Sequence, residues 1–478
     1  MKETQPQRET LTKSLSLLSL FTLSFGTIIG VGWITVLGAW VSGAGSMGAA
    51  LAFLIGGAIM LPIALCYAEI AGMFPVSGGE VAYVFKVYGE RAAFFAGWLL
   101  SYVYIAVVAF EAVSIGWVLS AMLPGIEGPV LYTFLGSDVR LWTVMVGLAL
   151  MALITTINYR GAQAASSLQT GLVIVLVLTS TVFLVAGFAN GDPAHLTPRF
   201  VGNTGQEVIF GVLAVVATTP FWFGGFDTIP QAMGEVSEDT DLRRVAGVMV
   251  FAITVALLFY IGIILAATVA VDRNALLSFS LPIAAAADAL LGREMRQLVL
   301  FAGLCGLLTT WNAMFYAAMR VLFALGRARM VPGGFARVHP RFGSPAFAAL
   351  FVGVVGGLGS LMGKQTIGIV ANSSALVFAF LFTAIVLAVI LLRQRAPEHA
   401  RPYRFPGGRW SLGLTLLLSV LVLVLAIATP LYQSGGALPT EWLLLFIWML
   451  LGVGFYTASR PLRKELPVEQ RQRSILNE

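Results

Sequence analysis

The amino-acid sequence predicts an all-α protein that crosses a membrane twelve times, built as two inverted repeats of five helices plus two extra helices. Three observations lead to this fold class. Of the 478 residues, 58% are hydrophobic and only 11% are charged, whereas soluble proteins carry about 25% charged residues. The apolar residues form runs long enough to cross a bilayer. Two of these runs, five spans apart, are interrupted by glycine and proline.

The predicted spans follow one another with short connections. They run over about 15–41, 47–73, 92–122, 141–157, 166–188, 207–234, 245–271, 297–326, 345–361, 367–392, 411–431 and 441–458. The predicted regions are a core over 15–392 with repeats at about 15–188 and 207–392, a basic loop with the last two helices over 393–458, and tails at 1–14 and 459–478.

The distribution of basic residues predicts the orientation. Six of the 29 Lys and Arg residues fall in odd-numbered connections, namely Arg140, Arg199, Arg273, Arg293, Arg296 and Lys364. Because basic residues concentrate on the cytoplasmic side, both termini are predicted to be cytoplasmic, with the protein in the cell (inner) membrane. The basic residues behind the net charge of +6 therefore reflect the orientation of the chain in the membrane. We expect no nucleic acid as a partner.

The sequence shows no pattern typical of a catalytic or metal centre. Cys66 and Cys305 lie in apolar runs, and His195, His339 and His399 lie in connections. An enzyme would need paired acids, a histidine cluster or a nucleophile with a base. We therefore expect neither enzymatic activity nor a cofactor.

The first interrupted run contains FGTIIGVGWI, residues 25–34. Its glycines are Gly26, Gly30 and Gly32, and each costs roughly 1 kcal/mol relative to alanine in a helix interior. The spacing of Gly26 and Gly30 is also typical of two closely packed helices. The first run alone does not distinguish an interrupted helix from an intact helix that packs closely against a neighbour.

The second interrupted run decides between them. The sixth span contains TTPFWFGGFDTIPQAMGE (218–235), with two adjacent glycines, two flanking prolines and Asp227. Unwound backbone at membrane depth is tolerated where it lines a polar cavity. Interruptions at corresponding positions of two halves therefore indicate an inverted-repeat secondary transporter.

The two interruptions predict a site for an α-amino acid. The helix that restarts near Gly32 would direct its positive N-terminal end at a substrate carboxylate. Carbonyls freed around 223–226, and those before Gly30, would accept hydrogen bonds from an ammonium group. The substrate-binding residues expected on these grounds are Ile29, Gly30, Val31, Gly32, Phe223, Gly224, Gly225 and Phe226.

Two acidic residues, Asp227 and Glu111, lie deep in predicted spans, where an acid costs about 2.5–3.5 kcal/mol on insertion scales. Asp227 could bind freed amides, contact a substrate amine, carry a coupled proton or bridge spans 1 and 6 structurally. Glu111 could face the cavity, which would favour polyamines and basic amino acids, or lie near the extracellular interface. Thr309 and Thr310 could bind sodium, although such hydroxyls more often bond their own helix.

Several motifs occur in an order known from one family. They are GTIIGVG (26–32), YAEIAGMFPVSGGEVAYVFKVYG (67–89), FGGFD (223–227), NAMFYAAMRVLFALGRARMVP (312–332) and RAPEHARPYRFPG (395–407). In these motifs the sequence resembles the amino acid–polyamine–organocation (APC) permeases. The resemblance implies a leucine-transporter-like fold and transport by alternating access, as symport or antiport. It also implies that Phe221 covers the substrate.

The sequence departs from that family at three places. Val31 stands where a serine often helps to hold the substrate carboxylate, so only backbone amides remain there. Trp33 stands where a smaller aliphatic residue is common. The fifth span (168–182) has no lysine, which argues against proton coupling through a lysine. Because Asp227 and Glu111 are the deep titratable groups of the sequence, we expect uptake of an amino acid coupled to H+ through them, with Na+ less expected. Exchange, import of polyamines or other organic amines, and amino-acid sensing stay open as alternatives.

Overall fold

The computed structural model describes residues 13–123, 125–126 and 128–476. Most of the predicted N-terminal tail, residues 1–12, lies outside the described residues. The elements are, in chain order, α1 (Leu17–Ile28), α2 (Gly32–Thr35), α3 (Leu37–Ala44), α4 (Ser46–Met73), α5 (Gly79–Tyr88), α6 (Glu90–Met122), β1 (Val130–Phe134), β2 (Ser137–Arg140), α7 (Leu141–Tyr159), α8 (Ala162–Asn190), α9 (Gly205–Phe223), α10 (Thr228–Ala232), α11 (Leu242–Ala270), α12 (Arg273–Ser278), α13 (Pro282–Arg327), α14 (Ala346–Gly357), α15 (Thr366–Arg395), α16 (Gly408–Gln433), α17 (Thr440–Ala458), α18 (Arg460–Lys464) and α19 (Val468–Leu476).

Within the described residues, 11 helical segments are long and apolar enough to cross a membrane. They coincide with eleven of the predicted spans. The ninth predicted span corresponds to the shorter apolar segment Ala346–Leu361. The protein is therefore a multi-pass membrane protein that is nearly all helical, and its twelve-helix repeat arrangement stays a prediction.

The eighth predicted span begins earlier than expected. α13 starts at Pro282, and its backbone leaves helical geometry at Leu291 and at Gly292, where φ is +77°. A positive φ is easily adopted only by glycine, so this turn separates a short first helix from the long one. The charged residues Arg293 and Arg296 follow the turn, which is why hydropathy alone placed the start later.

The expectation of an all-α chain is wrong at one place. β1 and β2 form a two-stranded antiparallel hairpin. Its two turn residues, Leu135 and Gly136, have φ of +47° and +78°. Two consecutive positive φ values match the turn that joins twisted strands through two residues, and the β-branched and aromatic residues of β1 favour a strand.

Two buried ion pairs lie at the end of the bundle where α5 packs, which we call the α5 end. Glu69 of α4 bonds the guanidinium of Arg393 at 2.9 Å and lies 3.3 Å from that of Arg401. Glu235, just after α10, bonds Arg320 of α13 at 2.7 and 3.0 Å. Glu69 and Glu235 therefore each have a cation beside them, which offsets the cost of burying their charge.

The predicted C-terminal tail contains helices. Arg471 of α19 donates to Glu90 at 2.8 Å, and Gln472 donates to the carbonyl of Phe85 at 3.1 Å. α19 therefore fastens the end of α5 to the beginning of α6.

Candidate substrate site

The first interruption separates α1 from α2. The hydroxyl of Thr310 lies 2.9 and 3.0 Å from the carbonyl oxygens of Gly26 and Thr27. The hydroxyl of Tyr260 donates to the carbonyl of Ile28 at 2.7 Å. Side chains of α13 and α11 thus satisfy the carbonyls that the interruption frees, as a membrane interior demands.

The second interruption separates α9 from α10. Gly225 has a φ of +139°, which only glycine adopts readily. Its N–H donates to Oδ1 of Asp227 at 2.7 Å, and its carbonyl accepts from the Thr228 hydroxyl at 2.5 Å. A Cβ at Gly225 would lie 2.8 Å from the amide nitrogen of Ile28, so the two interruptions are in direct contact.

A small cavity of about 20 Å³ lies where the two interruptions meet. Its lining residues are Thr27, Ile28, Gly30, Gly32, Val107, Phe110, Glu111, Phe221, Trp222, Gly224, Tyr260, Thr310 and Met314. This volume holds about one water molecule. An amino acid would enter only after the surrounding elements move apart.

Two glycines of the first interruption allow neighbouring side chains to pack directly against its backbone. The Trp222 ring covers Gly32 so closely that a Cβ there would collide with it. A Cβ at Gly30 would lie 2.7 Å from Oγ1 of Thr310 and 3.0 Å from Oε1 of Glu111. Both distances are shorter than ordinary van der Waals contacts, so a side chain at either glycine would displace its neighbours.

Glu111 faces this cavity and is 1% exposed. Its Oε1 lies beside the first interruption, 3.0 Å from the position that a Cβ at Gly30 would occupy. Its second oxygen, Oε2, has no hydrogen-bond partner among the described residues. Glu111 therefore lies against the first interruption and presents a free acceptor suited to an ammonium group.

Asp227 is fully buried but does not line the cavity. Besides the Gly225 amide, it accepts a hydrogen bond from the Tyr104 hydroxyl of α6. The carboxylate therefore bonds the second interruption and α6 and does not face the cavity.

The other predicted site residues divide into two groups. Those that line the cavity are Gly30, Gly32, Phe221, Gly224 and Thr310. Those that flank it without lining it are Ile29, Val31, Phe223, Gly225 and Phe226. Thr309 donates to the Gly306 carbonyl of its own helix at 2.7 Å.

Sequence reasoning missed two tyrosines that hold the interruptions. Tyr260 donates to Ile28 and also reaches the Trp222 carbonyl at 3.2 Å, so it bridges both broken helices. Tyr104 bonds Asp227. A tyrosine hydroxyl inside an apolar span needs a hydrogen-bond partner. This requirement could have identified both tyrosines from the sequence.

A larger cavity of about 390 Å³ lies away from this site. Its lining includes Trp117, Arg140 and Lys364, and it touches neither interruption. The smaller cavity, which both interruptions line, is therefore the candidate substrate site.

Comparison with known proteins decides the family. The pattern of the amino acid permease family matches residues 15–455. The chain belongs to the amino acid permease family. The resemblance to APC permeases is thereby confirmed, and the members of this family are transport proteins rather than enzymes.

Three curated relatives, all from Bacillus subtilis (strain 168), illustrate the range of the family. The methylthioribose transporter is 27% identical over 84% of this chain and 86% of its own length. The branched-chain amino acid permease BcaP is 27% identical over 94% of this chain and 93% of its own. The serine/threonine exchanger SteT is 25% identical over 93% and 95%. Relatives of similar identity thus differ in substrate.

Proposed function

We propose that this protein is a secondary active transporter that takes up a neutral, apolar amino acid by alternating access, coupled to protons. The observation that carries the proposal is the small cavity between two broken helices, lined by glycine backbone, aromatic side chains and one acid. Such a site binds the backbone groups of an amino acid with main-chain polar groups.

The apolar lining supports the choice of substrate class. Val107, Phe110, Phe221, Trp222 and Met314 surround the space, and apolar walls favour an apolar side chain. The relative BcaP, named as a branched-chain amino acid permease, matches nearly the whole chain.

Glu111 favours a second candidate, a basic amino acid or polyamine. Its free oxygen faces the cavity, so a substrate with a second positive charge would gain an ion pair. For a neutral amino acid, the same oxygen accepts the α-ammonium group.

Protons are the better candidate for coupling than sodium. Thr310 already lies within hydrogen-bond distance of two freed carbonyls of the first helix, the groups that a sodium ion there would need. Asp227 and Glu111 are buried acids with no ion pair to Lys or Arg in the part of the chain that the structure describes. Protonation would relieve the cost of burying such charges.

Uptake by purified protein in proteoliposomes tests the proposal. We expect tritiated leucine to accumulate when the outside is acidic, and an uncoupler to abolish the accumulation. Arginine, spermidine, serine and methylthioribose are assayed in parallel. Faster uptake of arginine or spermidine than of leucine would favour the second candidate, and uptake of methylthioribose alone would contradict amino-acid transport.

Two further outcomes separate the alternatives. Uptake that requires a counter-substrate inside, with no effect of the proton gradient, would identify an exchanger. Binding of leucine without accumulation under any gradient would identify a sensor. Accumulation driven by sodium alone would contradict proton coupling.

The repeat arrangement and the orientation belong to the same proposal. We propose two five-helix repeats over about 15–188 and 207–392, two extra helices over 393–458, and both termini in the cytoplasm. A periplasmic-type reporter fused after Asn190 should be active, and one fused after Arg341 inactive. The reverse pattern would contradict the orientation inferred from basic residues.

A further inference from the structure

Glu80 of α5 is a buried acid that the transport site does not use. It is 0% exposed, and one of its oxygens accepts a hydrogen bond from the side-chain amide of Gln231 in α10. Its other oxygen, Oε1, has no hydrogen-bond partner in the described ranges. Burial of an acid without a cation beside it costs folding free energy, which indicates a functional role for Glu80.

A series of polar side chains links Glu80 to the second interruption. Gln231, which bonds Glu80, lies in α10 four residues after Asp227, one helical turn along the same segment. Tyr104 donates to Asp227, and Asp227 accepts from the Gly225 amide. The series therefore connects α5, α10 and α6 to the point where the sixth span is broken.

Charge compensation separates this pair of acids from the others nearby. Glu69 and Glu235 at the same end of the bundle both pair with arginine. Among the described residues, Glu80 and Asp227 pair with neither lysine nor arginine. Two ionised carboxylates in one buried network would repel each other, so the network favours a state that holds one proton.

The groups around Glu80 offer no compensating charge. The titratable groups facing it are Tyr67 of α4, Tyr83 of α5, Tyr104 of α6 and Asp227. The arginine on the neighbouring α13, Arg320, is bonded to Glu235. Burial, and next the charge of Asp227, raise the pKa of Glu80 well above its usual range. Burial therefore favours the protonated form of Glu80 while α5 stays packed.

We propose that Glu80 and Asp227 share the transported proton, and that Glu80 releases it at the α5 end. When the α5 end opens, α10 separates from α5, the Gln231–Glu80 hydrogen bond breaks and water reaches the carboxyl group. Glu80 then ionises, and its proton passes to that water. This inference rests on the proposed proton coupling and assigns the coupling to a residue outside the substrate cavity.

The test is Glu80→Gln in proteoliposomes, with tritiated leucine as the probe and a trapped pH dye. Glutamine keeps the shape and a hydrogen-bond acceptor but cannot ionise. The ratio of uptake with and without an inward proton gradient should fall to about 1, and proton entry with leucine should disappear. Leucine exchange, which moves no net proton, should stay measurable. Glu238→Gln serves as the control, because Glu238 is an exposed acid whose side chain is 79% accessible.

The outcomes distinguish this inference from the proposed function. A wild-type protein whose leucine uptake ignores the proton gradient contradicts the proposed coupling itself. A responsive wild type together with an equally responsive Glu80→Gln protein overturns the inference about Glu80 alone.

A second variant covers the case in which Glu80→Gln fails to fold. Gln231→Met removes the hydrogen-bond donor to Glu80 in the packed state, so Glu80 there holds its proton up to a higher pH. The midpoint of the pH profile of uptake should then shift to higher pH. An unchanged midpoint would overturn the inference.

Discussion

The two interruptions look alike in the sequence but are held in different ways. The first is bonded by side chains of other helices, since Thr310 of α13 and Tyr260 of α11 bond its carbonyls. The second is bonded largely by its own residues, because Asp227 and Thr228 both bond Gly225.

The difference indicates which interruption responds to movement. A shift of α11 or α13 would change the hydrogen bonds of the first interruption directly. The second would keep its local bonds and move as a unit. The first is therefore the adaptable half of the site, and the second is its rigid half.

Gly32→Leu should have the largest effect, because it fills the space between the first interruption and the Trp222 ring. We expect loss of leucine binding in a protein that still inserts into the membrane. Gly43→Leu is the matched control, since a Cβ at Gly43 meets nothing within 4 Å. Equilibrium binding to purified protein measures the effect. Wild-type affinity in Gly32→Leu would restore the interpretation of these glycines as helix packing only.

Asp227→Asn should separate coupling from binding at the rigid half. Asparagine keeps the acceptor for the Gly225 amide but cannot hold a transported proton. We expect measurable leucine binding and exchange, with loss of the acceleration of uptake by an inward proton gradient. A variant that still responds fully to the gradient would exclude Asp227 as a coupling residue.

Gly225→Ala should reduce stability. Its φ of +139° strains any other residue, at about 1–3 kcal/mol, and the new Cβ would press on the amide of Ile28. We expect a thermal unfolding midpoint several degrees lower in detergent. Gly247→Ala on α11, where a Cβ meets nothing within 4 Å, should not lower it. An equal midpoint in both variants would contradict the strain.

Tyr260→Phe should have the smallest effect and test the adaptable half. It removes the hydroxyl that bonds Ile28 and reaches the Trp222 carbonyl. The loss of one hydrogen bond of about 1 kcal/mol predicts leucine binding weaker by about fivefold. Affinity unchanged within error would indicate that the bridge does not contribute to the binding-competent state.

The sequence predicted the features that depend on local chemistry. The spans followed from hydropathy, and both interruptions followed from glycine and proline in apolar runs. The β1–β2 hairpin was missed because its five-residue strand is too short to stand out among apolar helices. The orientation of Glu111 stayed open because helical periodicity is uninformative when every face of α6 is apolar.

The polar network of Glu80 could not be predicted for a different reason. Glu80 lies in a segment of mixed polarity between two spans, where an acid normally contacts water. Only the tertiary packing of α5 against α6, α10 and α15 buries it. Burial of that kind leaves no local pattern in the sequence.

The order of synthesis gives the α19 contact a further consequence. Glu90, at the start of α6, bonds Tyr456 at 3.0 Å and Arg471 at 2.8 Å and lies 3.3 Å from Arg463. The ribosome adds these three partners after nearly all the spans have been made. During synthesis, Glu90 has no partner among these residues until α19 has been made. A partly synthesised chain therefore lacks the contacts that fasten its α5 end.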